Sequence, residues 1–95
     1  MRGVEMPAPG ALSVGRPVNP TTGSAQVVLP RSGQLLGFMV NVAGAILLYD
    51  ASNATNLPTA ILTITPTAIG WYPFPVDLVN GLVANCAAST TLVVL

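Results

Sequence analysis

The sequence has no lysine and no histidine, and only three arginines and three carboxylates interrupt its neutrality. These six charges are Arg2, Glu5, Arg16, Arg31, Asp50 and Asp77. A nucleic-acid binder neutralises phosphates with clustered cations, and three scattered arginines build no such patch. A membrane-surface helix with a basic face fails on the same count. Without histidine, proton transfer would fall to Glu5, Asp50 or Asp77, none of which has a second carboxylate near it in sequence. Cys86 is the only cysteine, so no disulfide closes within the chain, and no CxxC or HExxH spacing offers a metal-ligand set. Glycine-rich phosphate cradles are missing as well. The chain therefore reads as non-enzymatic, with no cofactor and no metal, and with neither nucleic acid nor membrane as a partner.

Low charge does not mean disorder here. Residues are 52% hydrophobic and 6% charged, the opposite of a chain that stays unfolded in water. At 95 residues there is material for one core only. Residues 1–23 hold Pro7, Pro9, Pro17 and Pro20 among four glycines, with neither alternation nor helical spacing. Proline removes ladder donors and glycine adds freedom to the unfolded chain, so this segment is expected to be an extended arm outside the sheets. No continuous apolar core follows Arg2, which reads against a signal peptide. The arm's apolar side chains, Val4, Met6, Leu12, Val14 and Val18, are expected to contact a partner, with Arg16 as a polar contact.

Residues 24–95 are expected to fold as one domain of short strands separated by turn signals. Strands are predicted at 24–29, 34–43, 45–51, 59–65, 69–74, 76–79, 82–87 and 91–95. Residues 34–43 and 45–51 read as a hairpin bent at Gly44, with Leu36, Phe38, Val40 and Val42 sharing one face. The dipeptide Asn80-Gly81 is the strongest short hairpin signal. Pro73 places its strand at an edge or a bulge. A spanning helix over 35–49 is the rival reading, but that stretch is short of the roughly 20 residues a bilayer requires and carries Gly37, Gly44 and Asn41. The expected fold class is all-β: a small antiparallel β-sandwich, jelly-roll-like, of about seven or eight short strands, with an extended N-terminal arm.

The segment Ser32-Gly33-Gln34-Leu35-Leu36-Gly37, then Val40-Asn41 and Leu47-Leu48-Tyr49-Asp50, carries a resemblance. So do Phe74, Asn80-Gly81-Leu82-Val83 and the closing Ser89-Thr90-Thr91-Leu92-Val93-Val94. Over about residues 32–95 the chain resembles small β-sandwich structural proteins of tailed bacteriophages, most of all capsid decoration (cement) proteins. The resemblance implies a virion part with no catalytic role, and the long Pro/Gly-rich arm points to the capsid surface over a tail or fibre. It would be an oligomer, a trimer in the leading reading, bound to the major capsid protein. A tail, connector or fibre component is the alternative in the same class, and a carbohydrate-binding β module the alternative from another.

The residues argue toward assembly by themselves. Soluble sandwiches commonly protect their edge strands with lysine and other charges, and this chain has almost none to spend. Partners are therefore expected to cover edges and apolar surface. Trp71 and Tyr72 are the candidate aromatic anchors, with alternation placing one inside and one toward a neighbour. Asp50 and Asp77 are expected to cap turns rather than to share a cation. Cys86 is expected to be a small buried hydrophobe. Circular dichroism of the purified chain should show a β-dominated spectrum. Helix content above about one-third, the globular average, would overturn the strand assignment.

Overall fold

The computed structural model describes residues 15–95, which form eight strands and no helix. They are β1 (Arg16–Val18), β2 (Ala25–Leu29), β3 (Gly33–Val40), β4 (Ile46–Tyr49), β5 (Leu62–Ile64), β6 (Gly70–Leu78), β7 (Leu82–Cys86) and β8 (Thr90–Val94). The first sheet has the order β1-β8-β3-β6 and the second β2-β7-β4-β5, with every pair antiparallel. This is the two-sheet, eight-stranded jelly roll. Among the described residues no helix is long and apolar enough to cross a membrane, and the 35–49 stretch is divided between β3 and β4.

Chain connectivity differs from the hairpins read in the sequence. Only β4 and β5 are consecutive strands that pair; every other connection carries the chain from one sheet to the other. Gly44 thus lies in a crossover, not in a hairpin between β3 and β4, and the same holds for Asn80-Gly81 between β6 and β7. Local turn chemistry was compatible with either outcome. What decides is that both partners of such a pair bury one apolar face, and crossing between sheets lets those faces meet.

The core lies between the two inner faces. Leu35, Phe38, Val40, Leu92 and Val94 come from the first sheet, and Ile46, Leu48, Leu82, Ala84 and Cys86 from the second, all essentially inaccessible. A bulge between Leu35 and Gly37, seen against both neighbouring strands, shifts the phase of β3. The inward residues are therefore Leu35, Phe38 and Val40. Leu36, expected on that face, is only half-buried, and Val42 is exposed beyond the strand. Tyr72 and Phe74 pack against the same core from β6, with the Tyr72 ring stacked on Phe38 at 5.5 Å between centroids and 8° between planes. Such a pair adds about 0.5–1.5 kcal/mol beyond its burial.

Two expectations about prolines resolve differently. Pro73 does sit in an edge strand, but residues 69–74 and 76–79 are not separate strands: β6 runs unbroken through Pro73 and Pro75. An edge strand has one side without ladder bonds, which tolerates the missing donors. Pro17 uses the same allowance. The arm was expected to end at residue 23, yet Arg16–Val18 pairs with β8 at Arg16↔Val94, Pro17↔Val93 and Val18↔Leu92. The sandwich therefore begins at β1, and a cut at residue 23 would strip an edge strand and expose β8.

Asp50 fastens the β6–β7 crossover. Its carboxylate accepts backbone N–H bonds from Val79 (3.0 Å), Asn80 (2.8 Å) and Gly81 (3.3 Å). Gly81 has φ 150°, and a Cβ there would overlap the carbonyl oxygens of Leu29 and Ala51, so only glycine fits. Burial pushes the Asp50 carboxyl up, but the N–H groups of Asn80, Val79 and Gly81 together outweigh it and hold the carboxyl below its ordinary value. A carboxyl with a depressed folded pKa stabilises the native state above its unfolded pKa, and this contribution is lost as pH falls through the folded value. Asp50→Ala should cost about 1–3 kcal/mol at neutral pH, by denaturant unfolding. The gap between wild type and Asp50→Ala should hold down to about pH 4 and narrow below it. A gap that is constant into strong acid would show that the charge contributes nothing.

Candidate functional site

Side chains on a strand alternate between the two faces of its sheet, so the register defines what the first sheet presents outward. One row across the strands reads Pro17, Val93, Gly37, Pro73 and the next Thr91, Met39, Trp71. None of these belongs to the core cluster. Trp71 is 46% exposed and Met39 38%, and Ile69, immediately before β6, is 70% exposed. Gly37 is the floor of this strip. A Cβ on it would come within 2.7 Å of Trp71 Cζ2 and Cη2 and 2.6 Å of the Tyr72 carbonyl oxygen, so the indole lies directly over bare backbone.

Polar groups stand at the two ends of this face. At one end the Asn41 amide donates to Thr91 Oγ1 (3.0 Å) and Ser89 Oγ (3.4 Å), and the Thr91 hydroxyl donates to Asn19 Oδ1. At the other, the Gln34 amide donates to Asp77 (3.2 Å). Charged side chains are confined to the margins, with Arg16 on edge strand β1 and Asp77 near the end of β6. An antiparallel sheet with one solvated face ordinarily carries polar residues there. This one carries tryptophan, methionine, proline and valine. The outer face of the second sheet is mixed: Val27, 44% exposed, stands in a row with the inaccessible Val83 and the half-buried Tyr49, and the next row holds Asn85, Leu47 and Thr63.

Sheet edges, by contrast, are closed without any lysine. In the first sheet, β1 is three residues long with Pro17 at its centre, and β6 carries Pro73 and Pro75. In the second, β5 has three residues and β2 is bulged between Val27 and Leu29. Short strands, prolines and bulges are each recognised ways of blunting an edge. Of the edges and apolar surface expected to need covering, the edges carry these features and the apolar surface stands open on a face.

Of the residues singled out in the sequence, Val4, Met6, Leu12 and Val14 lie outside the described residues. Arg16 is exposed on β1. Val18 and Tyr72, expected at an interface, pack against the core instead, because their positions in β1 and β6 point inward. The Tyr72 hydroxyl donates to the Ala68 carbonyl at 2.8 Å. Trp71 alone of the aromatic pair faces outward. Met39, Ile69 and Gly37 join it there, and the sequence pass did not single them out as site residues. Met39 lies between Phe38 and Val40, so alternation places it on the face opposite theirs, which was the signal available for it.

Among the described residues no group of three or more His, Cys, Asp or Glu side chains is placed to hold a metal. Asp50 and Asp77 bind backbone and amide donors respectively. No family model, curated protein or solved structure matches the chain.

Cys86 is buried in the core. Burial pushes its thiol up, partly opposed by a hydrogen bond with Thr90. A thiol so placed is inert until the fold opens. Ellman's reagent should label the native protein only at the rate of unfolding, and labelling should become immediate in denaturant. Rapid labelling of the native protein would place Cys86 at a reachable surface.

Proposed function

We propose that the chain is a non-enzymatic structural subunit of a virion, a capsid decoration protein that assembles as a homo-oligomer, proposed trimeric, and binds the major capsid protein at the capsid surface. The observation that carries this reading is the apolar strip at the middle of the first sheet's outer face, open around Trp71 between polar ends, on a body whose edges are all blunted. Exposed apolar patches mark interaction surfaces, and tryptophan is among the residues enriched at the energetic centres of such surfaces. The jelly roll is used by viral capsid domains and by lectins alike, so the fold by itself decides nothing between them. The resemblance of residues 32–95 to phage sandwich proteins supports a virion part, and the Pro/Gly-rich N-terminal segment favours the capsid over a tail, connector or fibre.

A carbohydrate-binding module is favoured by one observation, the exposed Trp71. Sugar hydroxyls need hydrogen-bonding groups around such a ring, and its neighbours Met39, Pro73 and Ile69 have none to offer. The nearest amide and hydroxyls, on Asn41, Thr91 and Ser89, are bonded to one another. Protein is the better match to this surface.

The test is co-sedimentation with capsid shells that lack the native copy. The full chain should sediment with the shells, and binding should change little between low and high salt because few ion pairs exist to be screened. Replacing Trp71 and Met39 together by serine should weaken attachment about 30-fold or more, as expected for a central anchor worth at least about 2 kcal/mol. A wild-type chain that stays in the supernatant, or a variant that binds as tightly as wild type, would overturn the proposal.

A further inference from the structure

We infer that the outer strip formed by Leu36, Met39, Ile69 and Trp71 receives residues 1–14 of a neighbouring copy of this chain. The inference rests on the proposed homo-oligomer and deepens it: the face is the seam between copies, and loss of Trp71 and Met39 weakens capsid attachment by loosening the oligomer that engages the shell.

Three observations point to that occupant. First, the chemistry matches. The strip carries no charge, and residues 1–14 bring Val4, Met6, Leu12 and Val14 with only Arg2 and Glu5 as ionic groups, one of each sign. Second, Gly15, the residue that follows this segment, lies against this face. At Gly15 the backbone lies so close to Val93 and Leu36 that a Cβ would overlap both side chains. Third, the direction of travel selects a neighbour. Strand β1 is antiparallel to β8, and β8 is antiparallel to β3, so β1 and β3 run the same way. At Arg16 and Gly15 the backbone, traced backwards, points away from Met39 and Trp71 and toward the end of the sheet where Gln34 meets Asp77. Its own Trp71 is reached only by reversing course, whereas a molecule beyond that end is reached by continuing.

The length is sufficient. Fourteen residues span at most roughly 46–50 Å, and the longest dimension of the folded body is 44 Å. Pro7 and Pro9 lower the freedom that such a segment gives up on docking. An exchange of identical segments between copies would join them without asking any blunted edge to accept a strand.

Trp71 is the only tryptophan, so its fluorescence reports on this face alone. The experiment mixes two full-length variants. The reporter keeps Trp71 but carries Met6→Ser, Leu12→Ser and Val14→Ser. The donor keeps its N-terminal segment and carries Trp71→Phe, which makes it dark. Adding donor to reporter should shift the emission to the blue and suppress acrylamide quenching, saturably, and wild type should lose the same protection on dilution. If mixing changes nothing, the inference is wrong. Protection of wild-type Trp71 that is independent of concentration would assign the strip to the chain's own segment and overturn it equally. Should the triple variant fail to give the wild-type circular dichroism spectrum, Leu12→Ser alone serves as reporter. No shells are present in the mixture, so failure here leaves the sedimentation result standing, and failed sedimentation leaves this exchange standing.

Discussion

Closure of the two central strand pairs upon each other is the interaction on which everything else rests. In the first sheet β3 and β8 are central, in the second β4 and β7, and these four strands supply nearly all of the side chains with no accessible surface. Each fully buried Leu, Ile, Val or Phe contributes about 1.5–3 kcal/mol relative to exposure. Edge strands contribute partly buried residues, Val18 from β1, Leu62 and Ile64 from β5, and Tyr72, Phe74 and Val76 from β6. The central strands are far apart in sequence, with β3 pairing β8 from the other end of the domain. Such non-local pairing makes folding slow, because loop closure precedes any reward from contact.

This core imposes conditions on the loops. Six of the seven connections must carry the chain across the sandwich, so the backbone polar groups at its ends leave their ladders and need other partners. The Asp50 carboxylate meets that need for three consecutive residues at the β6–β7 crossover. Ser89, through its carbonyl, accepts from both Asn41 and Val42 at the β3–β4 crossover. With so few charges, the chain places one of them where it satisfies three donors at once instead of scattering it on the surface.

Much of the fold was legible because strand content is written in local chemistry. Alternation, β-branched residues and Pro/Gly punctuation located the body of each strand, and Pro73 marked an edge. The pairing was not legible, since a two-residue turn such as Asn80-Gly81 reads the same whether its strands pair or part. Which of these happens depends on where the apolar faces of β6 and β7 find burial, a non-local condition, and the carbonyls of Leu29 and Ala51 crowd Gly81 from equally distant positions. The Leu35/Gly37 bulge was hidden for a related reason: it depends on registry with β6 and β8, which local pattern does not encode. Of the candidate site, Trp71 could be found from its rarity. Met39 became part of the same surface only when β3 and β6 were laid side by side.

The contrast between blunted edges and an open face constrains how this chain can associate. Strand addition at an exposed edge is open-ended, because every added strand presents a new edge, and it leads to fibres. Packing on a face consumes the surface it uses and ends when that surface is covered, which favours closed assemblies of fixed size. A protein nearly without charge lacks the repulsion that ordinarily limits growth. Prolines in β1 and β6, the bulge in β2 and the brevity of β5 do that work instead, by geometry that salt does not screen. Apolar residues at the outer face then favour association without opening the route to aggregation. The same few charged groups that make the sequence look poorly soluble are therefore compatible with a discrete subunit, provided that the edges stay blunt.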